Sequence, residues 1–227
     1  LPDARVTDAA YVPRILRELS ADGLLVNYNA DIPSAMVDMI RSHCIPAVWM
    51  NSKQEADCVY PDDLNSSRHA TELLISARHR RIAFVELSPT THYSSADRRE
   101  GYAVAMAKAG LRPLVVDCAT APHHLSAAGQ AFTAAVAYQL SDALTLWQAC
   151  ADAGRRIPRD LSVIVFGDRP LALGSLRLDT MVIPFGEQGR RAVRMLVRKI
   201  AEPDATQGPV ALPALHVPRE SVTAYPY

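Results

Sequence analysis

Short apolar runs alternate along this chain with longer stretches in which apolar residues recur at helical spacing. In one such stretch Ala70, Leu73, Leu74 and Ala77 share a helical face, and the apolar run IAFV follows closely. The apolar runs predict strands at about 24–26, 47–50, 58–60, 82–85, 114–117, 138–140, 162–166 and 215–217. The helical stretches predict helices at about 8–19, 32–43, 61–77, 96–108, 126–137, 143–153 and 187–200. This alternation predicts an α/β fold in which helices cover both faces of parallel sheets.

Polar residues directly follow two of the predicted strands. Asn27 and Tyr28 come after one strand, and Asn51 comes after the next. Open α/β sheets bind ligands outside the carboxyl ends of their strands. These three residues are therefore candidate ligand-binding residues.

Length and charge limit the possible classes of protein. The 227 residues could form one α/β domain or two smaller lobes, and the 24 Lys and Arg balance the 24 Asp and Glu. A net charge of zero gives no electrostatic reason to expect nucleic-acid binding by this chain alone. No apolar run approaches the roughly 18 residues of a membrane span, and the start LPDARVTDAA does not resemble a signal peptide. A cytoplasmic protein is favoured, although a removed signal peptide would leave no trace.

The residue types that carry metal or catalytic chemistry occur without the spacing that such chemistry needs. The four cysteines form no CxxC pair, and His123 and His124 are adjacent instead of one helical turn apart. The sequence has no GxSxG, GxxxxGK or HExxH motif. We therefore expect no metal, no cofactor and no enzyme activity.

Several longer phrases resemble one known family. They are ATELLISARHRRIAFV, RREGYAVAMAKAG, SDALTLWQACADAGRRIPRDLSVIVFGDRPLA, DTMVIPFGEQGRRAVRMLVRKI and the closing PRES. Together they resemble the effector-binding core of the LacI/GalR family of bacterial transcription regulators, in the expected order and over nearly the whole chain. The resemblance implies two parallel-sheet α/β lobes of periplasmic-binding-protein type I, joined by three crossings, with a ligand held in the cleft between them.

The resemblance also implies where the lobes begin and end. The N-terminal lobe is expected to comprise residues 1–88 and 185–211, and the C-terminal lobe residues 89–184 and 212–227, with a crossing in the polar segment after Val85. The family's helix-turn-helix headpiece is absent from the sequence. The first strand and helix of the N-terminal lobe are expected to be missing as well, which would leave that lobe incomplete.

One arginine matches the residue with which the family commonly holds its effector. Arg98 stands three residues before Gly101, as that arginine does. The guanidinium donors form a rigid fork that suits carboxylate, phosphate or sugar hydroxyls. The alternative is a solvated surface arginine like its neighbour Arg99.

Other positions of the implied pocket differ from the family pattern. Ser141 and Asp142 replace the usual Asn-Asp, and Gly167 and Asp168 replace two acidic residues. We expect Asp142 to cap a helix and keep Ser141 and Asp168 as candidate ligand residues. Gly167 lacks the carboxylate that accepts sugar hydroxyls in the family, so the effector is expected to be an anion or a less hydroxylated molecule, unless the site has degenerated. Aromatic rings that could stack on a ligand, or equally serve packing or a loop, belong to Tyr28, His92, Tyr93 and Phe166.

The favoured function is the effector-sensing core of a LacI/GalR-type regulator. A small sugar-like molecule or small anion would shift the open and closed populations, and a homodimer would pass this change to a DNA-binding headpiece outside this chain. The alternative is a periplasmic-type solute-binding protein of the same fold, which would be monomeric.

Overall fold

The computed structural model describes residues 14, 20–27, 32–88, 90–124 and 132–226, apart from the side chains of residues 122 and 123. The described strands are β1 (Leu24–Asn27), β2 (Ala47–Met50), β3 (Cys58–Pro61), β4 (Ile82–Val85), β5 (Leu114–Val116), β6 (Ala134–Ala137), β7 (Ser162–Gly167), β8 (Ala172–Leu173), β9 (Leu176–Arg177), β10 (Asp179–Val182), β11 (Val210–Leu212) and β12 (Leu215–Val217). The described helices are α1 (Ser34–Ser42), α2 (Asp63–Ser76), α3 (Tyr93–Lys108), α4 (Ala121–His124), α5 (Leu140–Asp152) and α6 (Phe185–Ala201). The predicted helix at 8–19 lies outside the described residues, apart from Arg14, which is helical.

The chain divides into two α/β units. The first unit comprises residues 1–61 and 185–212, and the second comprises residues 62–184 and 213–227. The predicted α/β class with parallel sheets is confirmed, since each unit is built on its own mainly parallel sheet.

The first unit has a four-stranded parallel sheet in the order β1-β2-β3-β11. Its strands alternate between two apolar layers, as side chains of period two must. Trp49 and Cys58 face α1 on one side, and Val48 and Val59 face Ala192 of α6 on the other. Helices therefore cover both faces of this sheet.

The second unit has a six-stranded sheet in the order β12-β10-β7-β6-β4-β5, in which only the edge pair β10 and β12 is antiparallel. Phe84 and Ile164 pack on one face with residues of α2 and α3. Ala83 and Val165 pack on the other face with residues of α5. The central strands are buried on both faces, as expected for strands in the middle of a parallel sheet.

The expected lobe boundaries need one large correction. The first boundary lies after Pro61 and not after residue 88. The physical reason is strand pairing: β4 pairs with β5 and β6, so β4 and the helix α2 before it belong to the second unit. The polar segment after Val85 is therefore a loop within that unit and not a crossing. The boundary after Pro184 coincides with the expected one, and the last boundary is one residue later, after Leu212.

The helix predicted at 126–137 is also wrong in the part that the structure describes. Residues 134–137 form β6, the strand between β4 and β7, and helix α5 begins at Leu140, the last residue of the strand expected at 138–140. Alanine favours helices when nothing else decides, but tertiary context overrides this preference. Here AAVA pairs on both edges and is buried on both faces, where small residues fit.

Candidate functional site

The candidate site lies at the carboxyl ends of β4, β6 and β7 in the second unit. The chain leaves β4 to form β5 on one side and later returns to form β6 on the other side. The strand order therefore reverses between β4 and β6, which is the position at which open α/β sheets bind ligands. Helix α3 follows β4 at this point and carries Arg98.

Arg98 is buried and tightly held. The residue is only 5% exposed, its Nε donates to Oδ1 of Asp63 over 2.6 Å, and its Nη1 donates to the carbonyl oxygen of Tyr138 over 2.8 Å. Its guanidinium carbon lies 4.1 Å from the ring centroid of Phe166 and 4.7 Å from that of Tyr138. These distances are within the range of cation–π interactions. Arg98 is therefore not a solvated surface residue.

One side of the guanidinium still has hydrogen-bonding capacity. Nε and Nη1 are used within the protein, while no described residue accepts a hydrogen bond from Nη2. Arginine has five N–H donors in a fixed planar arrangement. Arg98 can therefore donate to a ligand without giving up its contacts to Asp63 and Tyr138.

Close packing of two helices brings Asp63 and Arg98 together. Asp63 is the first residue of α2, where the helix dipole favours a negative charge. The hydroxyl of Ser67 in α2 donates to the carbonyl oxygen of Arg98 over 2.6 Å. A Cβ at Gly101 would overlap the carbonyl oxygen of Leu64, so glycine at this position allows the close approach.

Burial dominates the electrostatics of Asp63. Removal from water raises the pKa of its carboxyl, although the charge of Arg98 and its hydrogen bond act in the opposite direction. The phenol of Tyr93 lies nearby, and burial together with the negative charge of Asp63 raises its pKa as well. Tyr93 is therefore a neutral phenol at neutral pH.

A second arginine next to the site is paired with its own carboxylate. Arg99 donates from Nη2 to Oε2 of Glu86 over 2.6 Å, and Glu86 is almost fully buried at the end of β4. Burial raises the pKa of the Asp142 carboxyl to about 6, and the negative charge of nearby Glu86 adds to this effect. The edge of the sheet thus carries buried carboxylates beside both arginines.

Asp142 stabilises the start of a helix as the sequence predicted, but from inside the helix, because the N-cap residue is Gln139. Asp142 occupies the third position of α5, and its Oδ2 accepts from the backbone N–H of Gln139 over 3.1 Å. Its Oδ1 accepts from the backbone N–H of Leu87 over 3.0 Å. The carboxylate therefore fastens the start of α5 to the loop after β4.

A short hydrogen-bonded chain holds the ring of Tyr138 against Arg98. Nδ1 of His92 lies 2.7 Å from the hydroxyl of Ser94, which lies 2.7 Å from the hydroxyl of Tyr138. His92 caps α3 by accepting from the backbone N–H of Ser94. His92 is thus buried in a structural network and does not present a ring for stacking on a ligand.

The structure brings only part of the predicted ligand set together. Arg98, Phe166 and Tyr93 lie in one cluster. Ser141 is exposed in the first turn of α5, and the Asp168 side chain is 51% exposed and bonded to neighbouring Arg169.

Three predicted residues belong to the first unit. Asn27 is exposed at the end of β1, and Asn51 follows β2 with a positive φ of 54°. Tyr28 lies outside the described residues. The ligand role of all these residues remains a prediction.

The space beside Gly167, where the family pattern has an acidic residue, is occupied by a side chain of the same unit. A Cβ at this position would lie 2.6 Å from Cδ1 of Leu171. A larger residue at 167 would therefore require Leu171 to move, and the leucine side chain occupies the space of the missing acid.

Sequence reasoning missed Asp63, Tyr138 and Glu86. The acidic pair Asp62-Asp63 was visible at the start of a helix, but such residues are ordinary helix caps, and nothing local showed that Asp63 faces an arginine 35 positions later. Tyr138 was placed inside a strand, whereas β6 ends one residue earlier. Among the described residues, no group of three His, Cys, Asp or Glu could hold a metal ion.

With this geometry in place, comparison with known proteins identifies the family. Residues 71–222 match the model of the periplasmic binding protein-like domain. The chain belongs to this family. The match spans the second half of α2, all of α3 and α6, and every strand of the second unit's six-stranded sheet.

Similar proteins confirm the resemblance to LacI/GalR regulators. The ribose operon repressor of Escherichia coli K12 is 26% identical over 220 residues, which covers 91% of this chain and 66% of the repressor. The chain therefore spans slightly less than two thirds of the length of that repressor. Its sequence relatives are transcriptional regulators and not enzymes.

Solved structures confirm the fold. A LacI family regulator from Enterococcus faecium with bound ribose is 20% identical, with a TM-score of 0.75 over 96% of this chain and 85% of that one. A sugar-binding LacI family regulator from Escherichia coli complexed with phosphate is 23% identical, with a TM-score of 0.76 over 95% of this chain and 82% of that one. Among the helices described in this chain, none combines the length and apolar character needed to cross a membrane.

Proposed function

We propose that this chain is the effector-sensing core of a LacI/GalR-type transcriptional regulator, and that its effector binds at Arg98. One observation carries the proposal: a guanidinium packs against the rings of Phe166 and Tyr138 at the reversal point of the sheet, with Nη2 unused by any described residue. The regulators among its relatives support the same role.

The proposed effector is a small sugar-like molecule or a small anion. Ribose and phosphate are the molecules bound in the two solved relatives. The free donors of Arg98 suit oxygen atoms of either class, and the flanking rings supply apolar surface for the face of a sugar. The role is binding without catalysis.

Effector binding would act by shifting populations. A ligand that favours one of two conformations of the regulator moves the equilibrium toward that conformation, and the coupling to DNA binding is reciprocal. DNA would be contacted by a headpiece outside these 227 residues. The regulator would work in the cytoplasm.

A homodimer is part of this proposal, and helix α5 offers supporting surface. Leu140, Leu144 and Trp147 are exposed at helical spacing and form one apolar stripe. Leu144→Asp should lower the mass measured by light scattering at micromolar concentration. Val104→Asp on α3 also alters an exposed apolar residue, and it serves as the matched control. A monomeric mass for the unmodified chain would contradict the dimer.

The experiment that tests the effector site is a thermal-shift screen against sugars, nucleosides, amino acids and small carboxylates. A ligand bound only by the folded state raises the melting temperature. Arg98→Lys keeps the charge opposite Asp63 but loses the planar fork, so it should lower the affinity for any hit. Arg99→Lys, one residue further along α3, is the matched control and should bind normally. Equal affinity in all three proteins would remove Arg98 from the site.

A further inference from the structure

We propose that Asp63 sets the charge selectivity of the Arg98 site, so that the site takes a neutral hydroxylated ligand and excludes anions. This inference rests on the proposed function and decides between the two ligand classes left open there. It makes Asp63 a specificity-determining residue.

Asp63 and Arg98 form a deeply buried ion pair. The 2.6 Å contact joins an Asp63 side chain that is 2% exposed to an Arg98 side chain that is 6% exposed. Water cannot screen charges buried this deeply, so each charge is felt strongly by the other. A ligand arriving at Nη2 therefore meets a paired arginine whose positive charge is already compensated.

The groups around this ion pair include further carboxylates and a second arginine that is itself paired. Arg99, the nearest other cation on α3, is paired with buried Glu86. Asp97 lies close enough to Asp63 for its negative charge to act on the Asp63 carboxyl. No second positive charge among these groups is left without a carboxylate partner.

These features affect neutral and charged ligands differently. The N–H donors of a paired guanidinium still bind a hydroxyl or carbonyl oxygen, because hydrogen bonding needs direction more than net charge. An anion would give up its hydration without gaining an uncompensated positive charge in return. The site therefore favours the neutral ligand.

Sulfate is the probe for this proposal, because it keeps its charge across the neutral pH range. Calorimetric titration of the unmodified chain should show no saturable sulfate binding. Asp63→Asn removes the compensating charge while keeping the shape of the side chain, and it should raise sulfate affinity at least about tenfold. The double variant Asp63→Asn/Arg98→Gln should lose this gain, which would locate the sulfate at Arg98.

The control is Glu72→Gln, which removes the negative charge of a half-buried side chain elsewhere on the same helix. It should leave sulfate binding unchanged. Asp63→Ser is a second variant, with a small polar group at the helix start in case Asp63→Asn does not fold. Its gain should match that of Asp63→Asn.

The proposal is overturned if the unmodified chain binds sulfate as tightly as the Asp63 variants, or if neither folded variant gains affinity. These sulfate titrations can be carried out without knowing the natural effector. Failure of the proposed function shows separately, as a screening hit whose affinity does not depend on Arg98.

Discussion

Replacing Gly101 by alanine tests whether the close approach of α2 and α3 supports the site. The added Cβ would overlap the carbonyl oxygen of Leu64 and lie 2.9 Å from the backbone nitrogen of Arg68. Both are backbone atoms of α2, so no side chain can turn away and the helices must separate. Overpacking of this kind typically costs about 1–3 kcal/mol, and we expect the upper end or more because backbone must move. The measurement is the free energy of unfolding from urea titration followed by circular dichroism.

Gly189 in α6 is the matched control. It is also a helical glycine, but a Cβ there would meet nothing within 4 Å. Gly189→Ala should therefore stabilise the chain by about 0.5–1 kcal/mol, since alanine loses less conformational entropy on folding. If the free energy of unfolding of Gly101→Ala lies within about 0.5 kcal/mol of that of the unmodified chain, the two helices are not held as closely as described.

Three further predictions concern buried polar groups. Arg98→Ala should cost about 3 kcal/mol or more in urea unfolding, because it leaves a buried carboxylate unpaired, whereas Arg190→Ala in an exposed pair should cost under about 1 kcal/mol. The carboxyl of Asp142 has a pKa of about 6 in the folded chain and an ordinary pKa of 3.8 in the unfolded chain. Between pH 3.8 and about 6 the folded chain therefore binds more protons at Asp142 than the unfolded chain does. The contribution of Asp142 to stability should thus fall by at most about 3 kcal/mol as pH rises through this range, and Asp142→Asn should flatten that part of the pH curve. Tyr102→Phe should cost about 1–3 kcal/mol, since the fully buried phenol accepts from the backbone N–H of Leu114 over 2.7 Å.

Each of these predictions has an outcome that contradicts it. Equal losses for the two arginine variants would mean that the Arg98 pair behaves like a surface pair. A pH curve of Asp142→Asn that runs parallel to that of the unmodified chain would show that the carboxyl has an ordinary pKa. Unchanged stability of Tyr102→Phe would mean that another group satisfies the backbone at Leu114.

The sequence predicted the elements well wherever the apolar pattern had one interpretation. The strands at 47–50, 82–85 and 215–217 were predicted to the residue, because short apolar runs lay between polar turns. The pattern failed at β6, where alanine-rich sequence suits both a helix and a strand buried on both faces. The apolar pattern also does not mark the buried face of α6, where Val193 and Ile200 are exposed while Gln188, Ala192 and Met195 are buried.

The site could be predicted only where a motif marked it. Arg98 was found through its spacing to Gly101 within a phrase typical of the family, and Phe166 lay in a second such phrase. Asp63 was out of reach, because its partner is distant in sequence and its type and position are those of an ordinary helix cap. The large loss of stability expected for Arg98→Ala therefore follows from the buried ion pair in the structure and not from the sequence.

The most direct test of the proposed effector site is a crystal structure of the chain with a compound found by the thermal-shift screen. We expect a ligand oxygen about 3 Å from Nη2 of Arg98, with the Asp63 contact intact and the rings of Phe166 and Tyr138 still packed against the guanidinium. A ligand bound elsewhere, with no atom in contact with Arg98, would contradict it.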